Sequence, residues 1–164
     1  MGKRLLFLII LYFAVILQVS IGIPVASLGW DIDIVLIVLI LISAKTGRGE
    51  SILWALIVGL ALDSFDPAAL GGHMVAKSTA IYVLSYLTII MNLEQPIYLA
   101  LAVFILTLIE HLIFRLFTPL INNYFWVLLR YDLPSVILTT IVGFIVLLVA
   151  LKIGVYVPAV NKED

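Results

Sequence analysis

The sequence predicts an all-α, polytopic integral membrane protein, and three observations carry that prediction. Hydrophobic residues make up 65% of the 164 residues and charged residues only 12%, about half the share found in soluble domains. The mean hydropathy is +1.29. Six apolar segments follow one another, separated by turn residues. A soluble domain of this size leaves about a third of its chain surface in water, so this much apolar surface requires lipid.

Composition also excludes several classes of function. The chain has no cysteine, which removes disulfides, thiolate catalysis and thiolate metal sites. A formal net charge of −1 offers no basic face to nucleic acid. The sequence carries no nucleophile elbow, complete phosphate loop or histidine ligand cluster, so we expect neither an enzyme nor a bound metal or cofactor. With no soluble domain or internal repeat visible, residues 1–164 are interpreted as a single transmembrane domain.

The apolar segments predict six transmembrane helices, of which the second and third are short. The segments cover residues 5–23, 34–44, 52–62, 74–91, 97–117 and 135–157. Because no convincing cleavage site follows the first, we expect it to be a retained span and not a signal peptide. Eleven residues of helix cover about 17 Å, well short of the roughly 30 Å of hydrocarbon. Two interpretations therefore stay open for the short pair. They are full spans that include Asp33 and Asp63, or a hairpin that ends part-way across with its irregular backbone shielded by other helices.

An aromatic stretch at residues 122–134 predicts an interfacial helix before the last span. It is too short and too polar to cross a membrane alone. Its large and charged side chains form a candidate outer face for a partner: Tyr124, Trp126, Arg130 and Tyr131.

The distribution of Lys and Arg predicts the orientation. With the amino terminus inside, six basic residues lie on the inner side and three on the outer side. The positive-inside rule then favours cytoplasmic positions for both termini.

Polar residues in five of the segments are predicted to lie at one depth. Each is twelve to fifteen residues from a cytoplasmic end, or about 18–22 Å of helix. They are Gln18, Asp33, Asp63, Lys77, Glu110 and His111. Lys77 is the one lysine at this depth, and three carboxylates lie at the same depth as candidate partners for its charge. We expect Asp63 to be among the carboxylates that pair with it. The layer predicts either an internal ion-pair network or an outward-facing polar cavity or partner socket. Gly59 and Gly143 are candidates for close helix contact.

Residues 33–76 carry an ordered pattern that resembles the rod shape-determining protein MreD family. The pattern reads DIVL at 33–36, GRG at 47–49, GLALD at 59–63 and LGGH at 70–73. Ile32 stands where that family often has proline, and Gly72 is inserted before His73.

The resemblance implies a non-enzymatic scaffold of the bacterial cell-elongation machinery in the inner membrane. Such a protein binds the bitopic protein MreC and, through it, connects MreB filaments to a RodA-type glycan polymerase and a penicillin-binding transpeptidase. It supports cell-wall peptidoglycan synthesis and rod shape. The resemblance also implies a fold similar to the substrate-binding subunits of energy-coupling-factor (ECF) transporters, in contact with membrane lipid. Self-association into a homodimer stays open.

The alternative interpretation is a substrate-binding membrane subunit of such a transporter. That function needs a stripe of small residues on the first span for docking coupling helices. Residues 5–19 hold only Ala14 as a small residue, which weighs against it.

Overall fold

The computed structural model describes residues 2–26, 30–66, 70–118 and 124–156. All regular structure in these residues is helical, which confirms the predicted all-α class. The helices are α1 (Gly2–Ala26), α2 (Ile34–Ser43), α3 (Arg48–Asp63), α4 (Gly72–Ile90), α5 (Pro96–Phe117), α6 (Tyr124–Val127) and α7 (Leu133–Lys152), with a π-helical turn, Leu128–Asp132, between the last two. Each of the six predicted apolar segments corresponds to one of the longer helices. Lys162 and residues 119–123 lie outside the described residues.

Three stretches of helix among the described residues are long and apolar enough to cross a membrane. They are Gly72–Ile90, Pro96–Phe117 and Leu128–Lys152. Large apolar side chains on the outside of α4 and α5 are strongly exposed, with Ile89 at 75% and Leu116 at 80%. Exposing apolar surface of this kind to water is unfavourable in free energy, whereas lipid tails solvate it. These helices are therefore suited to a bilayer environment.

Helix α2 forms the centre of the bundle. It packs against α1, α3, α4 and α7, while α3–α4, α4–α5 and α5–α7 are the other main helix pairs. Six of its ten residues are buried, among them Val35 and Leu36, which have no exposed surface. A helix that is apolar all round is stable only when protein or lipid surrounds it. Its ten residues cover about 15 Å, so α2 alone is half a membrane long.

The backbone before α2 is irregular, and neighbouring side chains satisfy it. Residues 30–33 are not helical. Oxygens of Gln18, Ser135 and Thr139 accept hydrogen bonds from the backbone N–H groups of Ile34, Asp31 and Asp33, at 2.7, 2.9 and 3.0 Å. Non-helical backbone persists at membrane depth only when protein groups satisfy it in this way. Side chains of α1 and α7 therefore satisfy the irregular backbone before α2.

Helices α3 and α4 meet at Gly59. A Cβ atom at this position would meet the backbone of α4, with His73 O and Met74 N both 2.7 Å away and Met74 Cα also within clashing distance. Backbone atoms cannot rotate aside as a side chain can, so only glycine fits. The α3–α4 contact therefore depends on this position.

Residues 124–134 of the stretch that was expected to form an interfacial helix are helical, but no break separates them from the last span. From Leu128 the chain continues through the π-helical turn directly into α7, and Leu128–Lys152 forms one apolar helical stretch. Pro134 does not interrupt the helix, because it lies in the first turn of α7, where proline is best tolerated. The π-helical turn adds one residue to the helical register, which is a change that sequence periodicity does not reveal.

Candidate functional site

Three charged side chains from three helices meet near one end of the bundle, and we call them the triad. Lys77 of α4 donates to Asp33 Oδ2 at 2.6 Å and to Glu110 Oε1 of α5 at 2.5 Å. Lys77 is only 1% exposed and is among the largest fully buried side chains. In this low-dielectric setting the lysine depends on its carboxylate partners, because an unpaired ammonium ion would carry its full desolvation cost.

Asp33 has a second role as the N-cap of α2. Its Oδ1 accepts a hydrogen bond of 2.7 Å from Leu36 N, while Oδ2 takes the lysine. Aspartate is a preferred N-cap residue, and its negative charge also favours the positive end of the helix dipole. One side chain therefore starts the central helix and fixes its position against α4.

The expected pairing of Asp63 with Lys77 is wrong. Asp63 ends α3, and its two carboxylate oxygens accept hydrogen bonds from His73 N at 2.9 Å and Met74 N at 3.1 Å. These N–H groups belong to the first turn of α4, which has no helical partner for them. Asp63 thus joins α3 to α4 by capping, and it leaves Lys77 to the other two carboxylates.

The remaining predicted members of the polar layer lie near the triad but bond elsewhere. Gln18 donates to Asp31 Oδ2 at 3.2 Å and accepts from the start of α2. His111 Nδ1 lies 3.0 Å from the carbonyl oxygen of Thr107, one turn earlier on α5. Both side chains line the same cavity as the triad. The structure therefore brings the predicted layer, except Asp63, together around a cavity, with the triad as its most buried part.

This cavity has a volume of about 340 Å³. It lies among the carboxyl-terminal ends of α1, α3 and α5 and the amino-terminal ends of α2, α4 and α7. Asp31 at its edge is exposed and Asp66 half-buried, whereas Lys77 and Glu110 are buried. A cavity of this size holds roughly ten water molecules at about 30 Å³ each. It is large enough for a small polar ligand.

A second ion pair, which sequence reasoning missed, borders the cavity. Arg115 of α5 donates to both carboxylate oxygens of Asp132, from Nε at 2.8 Å and from Nη2 at 2.5 Å. Asp132 is the last residue of the π-helical turn and is buried. An uninterrupted α-helical register does not indicate that this side chain points inward. Ser135 and Thr139 lie at positions i and i+4, on one face of α7. This spacing of hydroxyl residues in an apolar helix could have predicted their hydrogen bonds to the backbone before α2.

The other predicted residues lie at the following places. Gly143 faces α5 and α2, since a Cβ there would lie 3.0 Å from Val103 Cγ1 and 3.2 Å from Ile37 Cγ1. Trp126 is 67% exposed, and Arg130 lies 5.8 Å above the ring of Tyr131, at the same end as the cavity. The side chain of Tyr124 lies outside the described part of the structure.

The arrangement is suited to charge recognition. No group of three or more histidine, aspartate or glutamate side chains within the described ranges could hold a metal ion. What these residues provide is paired and spare carboxylates in a partly enclosed polar space. No family model, curated protein sequence or solved structure matches the chain.

Proposed function

We propose that the chain is a non-enzymatic, MreD-like scaffold of the bacterial cell-elongation machinery, with a fold similar to the ECF substrate-binding subunits. In this proposal it crosses the inner membrane six times, with α2 and α3 as short members, and both termini are cytoplasmic. It binds an MreC-type bitopic protein. Through that partner it supports MreB filaments, a RodA-type polymerase and a penicillin-binding transpeptidase in peptidoglycan synthesis.

The observation that carries the proposal is that Asp33, Gly59 and Asp63 of the MreD-like pattern are occupied by internal contacts. Asp33 caps α2 and binds Lys77, and Asp63 caps α4. Gly59 permits the α3–α4 contact, and Gly71 takes a left-handed conformation with φ of 85° directly before α4. An enzyme's signature residues are expected to face a substrate, whereas these hold helices together. A pattern that specifies shape fits a scaffold.

The proposed orientation rests on charge and on one contact at the end opposite the cavity. Arg4 Nε lies 3.0 Å from Glu50 Oε1, so the start of α1 is beside the turn between α2 and α3. That turn carries Lys45 and Arg48. Basic residues from two parts of the chain therefore gather at one end, which the positive-inside rule assigns to the cytoplasm. The cavity then faces the periplasm.

The proposed partner surface is at the cavity end. Trp126 and Arg130 are exposed there, and Tyr131 is 39% exposed. Tryptophan, tyrosine and arginine are the residues most enriched at the energetic centres of protein interfaces. A periplasmic segment of a bitopic partner would reach this surface at the membrane boundary.

Affinity purification from native membranes in mild detergent, with mass spectrometry of the co-purifying proteins, tests the proposal. We expect an MreC-type protein and wall-synthesis enzymes. The variant Trp126→Ala/Arg130→Ala should lower their recovery. A matched control, Tyr98→Ala/Lys152→Ala, removes an exposed aromatic and a basic residue away from this surface and should not. Absence of an MreC-type protein from wild-type preparations that retain other membrane complexes would refute the scaffold.

A transporter substrate-binding subunit is the second candidate, and the cavity is the observation that favours it. In the same experiment it predicts recovery of a coupling subunit and paired ATPases. The structure adds to the argument against it, because Ala14, the small residue of the first span, is 3% exposed and faces the bundle. The outer side of α1 carries large residues such as Leu5, Tyr12 and Phe13. A coupling helix would find no small-residue groove on that part of α1.

A further inference from the structure

The cavity beside the triad has more negative charge than the surrounding side chains neutralise. Five carboxylates line it, against the permanent cations Lys77 and Arg115, which leaves a formal charge of −3. Protonation of both lining histidines, His73 and His111, would still leave −1. The carboxylates are Asp31, Asp33, Asp66, Glu110 and Asp132. With its carboxylates ionised, the cavity therefore attracts cations whether or not its two histidines are protonated.

A buried carboxylate oxygen in this cavity has no hydrogen-bond donor. Glu110 is 4% exposed, and its Oε1 is bound by Lys77, but its Oε2 has no partner within the described residues. A buried acceptor without a donor is destabilising, and more so when it is charged. The unpaired oxygen belongs to a residue that lines the cavity, and it is a second observation beside the overall charge.

The walls of the cavity select the kind of cation. Phe65, Phe114 and Tyr131 line it, and the ring of His73 stacks on Phe114 with centroids 4.3 Å apart. Aromatic faces beside carboxylates are the combination that binds organic ammonium ions. A divalent metal would need three or more convergent ligands, and the described residues offer no such group. The volume of about 340 Å³ is at the small end of ligand pockets.

We propose that this cavity binds the ammonium group of a small amine, either free in solution or as the ethanolamine headgroup of a membrane lipid. The ammonium group donates to Glu110 Oε2, the aromatic rings surround its carbon substituents, and Asp31 and Asp66 attract it at the edge. The inference does not depend on the proposed scaffold function. A failure to recover an MreC-type partner would leave it standing.

Titration calorimetry of the purified full chain in neutral detergent tests the solution ligand, with ethanolamine as the probe. Ethylene glycol replaces the amine by a hydroxyl of similar size and serves as the neutral control. We expect saturable heat with ethanolamine alone. Glu110→Gln and, separately, Asp31→Asn/Asp66→Asn should weaken affinity about tenfold or more, as expected for loss of a hydrogen bond to a charged group. Glu94→Gln removes an exposed carboxylate outside the cavity and should leave affinity unchanged.

Lipid nanodiscs test the headgroup source. Phosphatidylethanolamine should raise the melting temperature above that in phosphatidylglycerol for wild type and for Glu94→Gln. The rise in melting temperature should disappear in Asp31→Asn/Asp66→Asn. Because both residues lie at the edge of the cavity and not in the core, misfolding would not account for that loss. Ethanolamine binding without a lipid effect supports a soluble amine, and a lipid effect without ethanolamine binding supports the headgroup. Neither response, or responses that the cavity variants leave intact, would overturn the proposal.

Discussion

Replacing Lys77 with methionine should destabilise the bundle more than any single surface change. Methionine keeps the length and most of the volume of the lysine stem, so little cavity is created. What disappears is the ammonium group that lies 2.6 Å from Asp33 and 2.5 Å from Glu110. Both carboxylates are then buried without a cation. Breaking one side of a buried ion pair costs about 3–5 kcal/mol, and this change breaks two pairs at once.

Unfolding by SDS from mild-detergent micelles measures this cost, with Lys152→Met as the control. Lys152 is exposed in the last turn of α7, so its replacement should change the free energy of unfolding by less than about 0.5 kcal/mol. A loss of 3 kcal/mol corresponds to about a hundredfold rise in the unfolded fraction, which such a titration resolves. If Lys77→Met unfolds within about 0.5 kcal/mol of wild type, the triad does not hold the helices together and the reasoning is refuted.

Three further predictions test the contacts around the triad. Gly59→Ala should destabilise by about 1–3 kcal/mol, because its Cβ meets backbone, whereas Gly49→Ala on the same helix has open space and should cost nothing measurable in thermal melts. Asp63→Ala should cost about 2–4 kcal/mol by leaving two N–H groups unpaired, and its effect should add to that of Lys77→Met within about 0.5 kcal/mol; a larger coupling in the double-mutant cycle would contradict the separate roles. Arg115→Lys should lower the melting temperature although charge is kept, since lysine cannot reproduce the two-pronged contact, and an unchanged melting curve would contradict that role.

The helices could be predicted from the sequence because hydropathy and turn residues are local properties. The prediction and the structure agree on where the second helix begins: the predicted segment is 34–44 and α2 is Ile34–Ser43. They agree because Asp33, the polar residue directly before the apolar run, is also the N-cap of α2. The run into α7 could not be predicted in the same way. Pro134 and the polar residues before it resemble a break, and the π-helical turn that continues the helix depends on tertiary packing.

The polar site could be predicted in its depth but not in its pairings. Counting residues along helices placed Asp33, Lys77 and Glu110 at one height, and the structure brings them into contact. Height alone could not separate Asp63 from the other acids, because it does not specify which way a side chain faces. The N–H groups at the start of α4 compete for that carboxylate, and their position depends on the turn at Gly71.

Buried charged residues stabilise a helix bundle less well than apolar residues of similar size. Replacing the triad by apolar residues can therefore separate its contribution to stability from its role in binding. Well-packed apolar residues in place of a buried ion pair are often neutral or stabilising by about 1–4 kcal/mol. We therefore expect Asp33→Asn/Lys77→Met/Glu110→Leu to regain most of the stability that Lys77→Met loses, since asparagine still caps α2 and no charge of the triad remains. The same variant should no longer bind ethanolamine, because the oxygen that receives the ammonium group is gone. Melting temperature and calorimetry on one preparation report both properties. A variant that is stable and still binds would remove Glu110 from the proposed site, and one that cannot regain stability would make the charges structural.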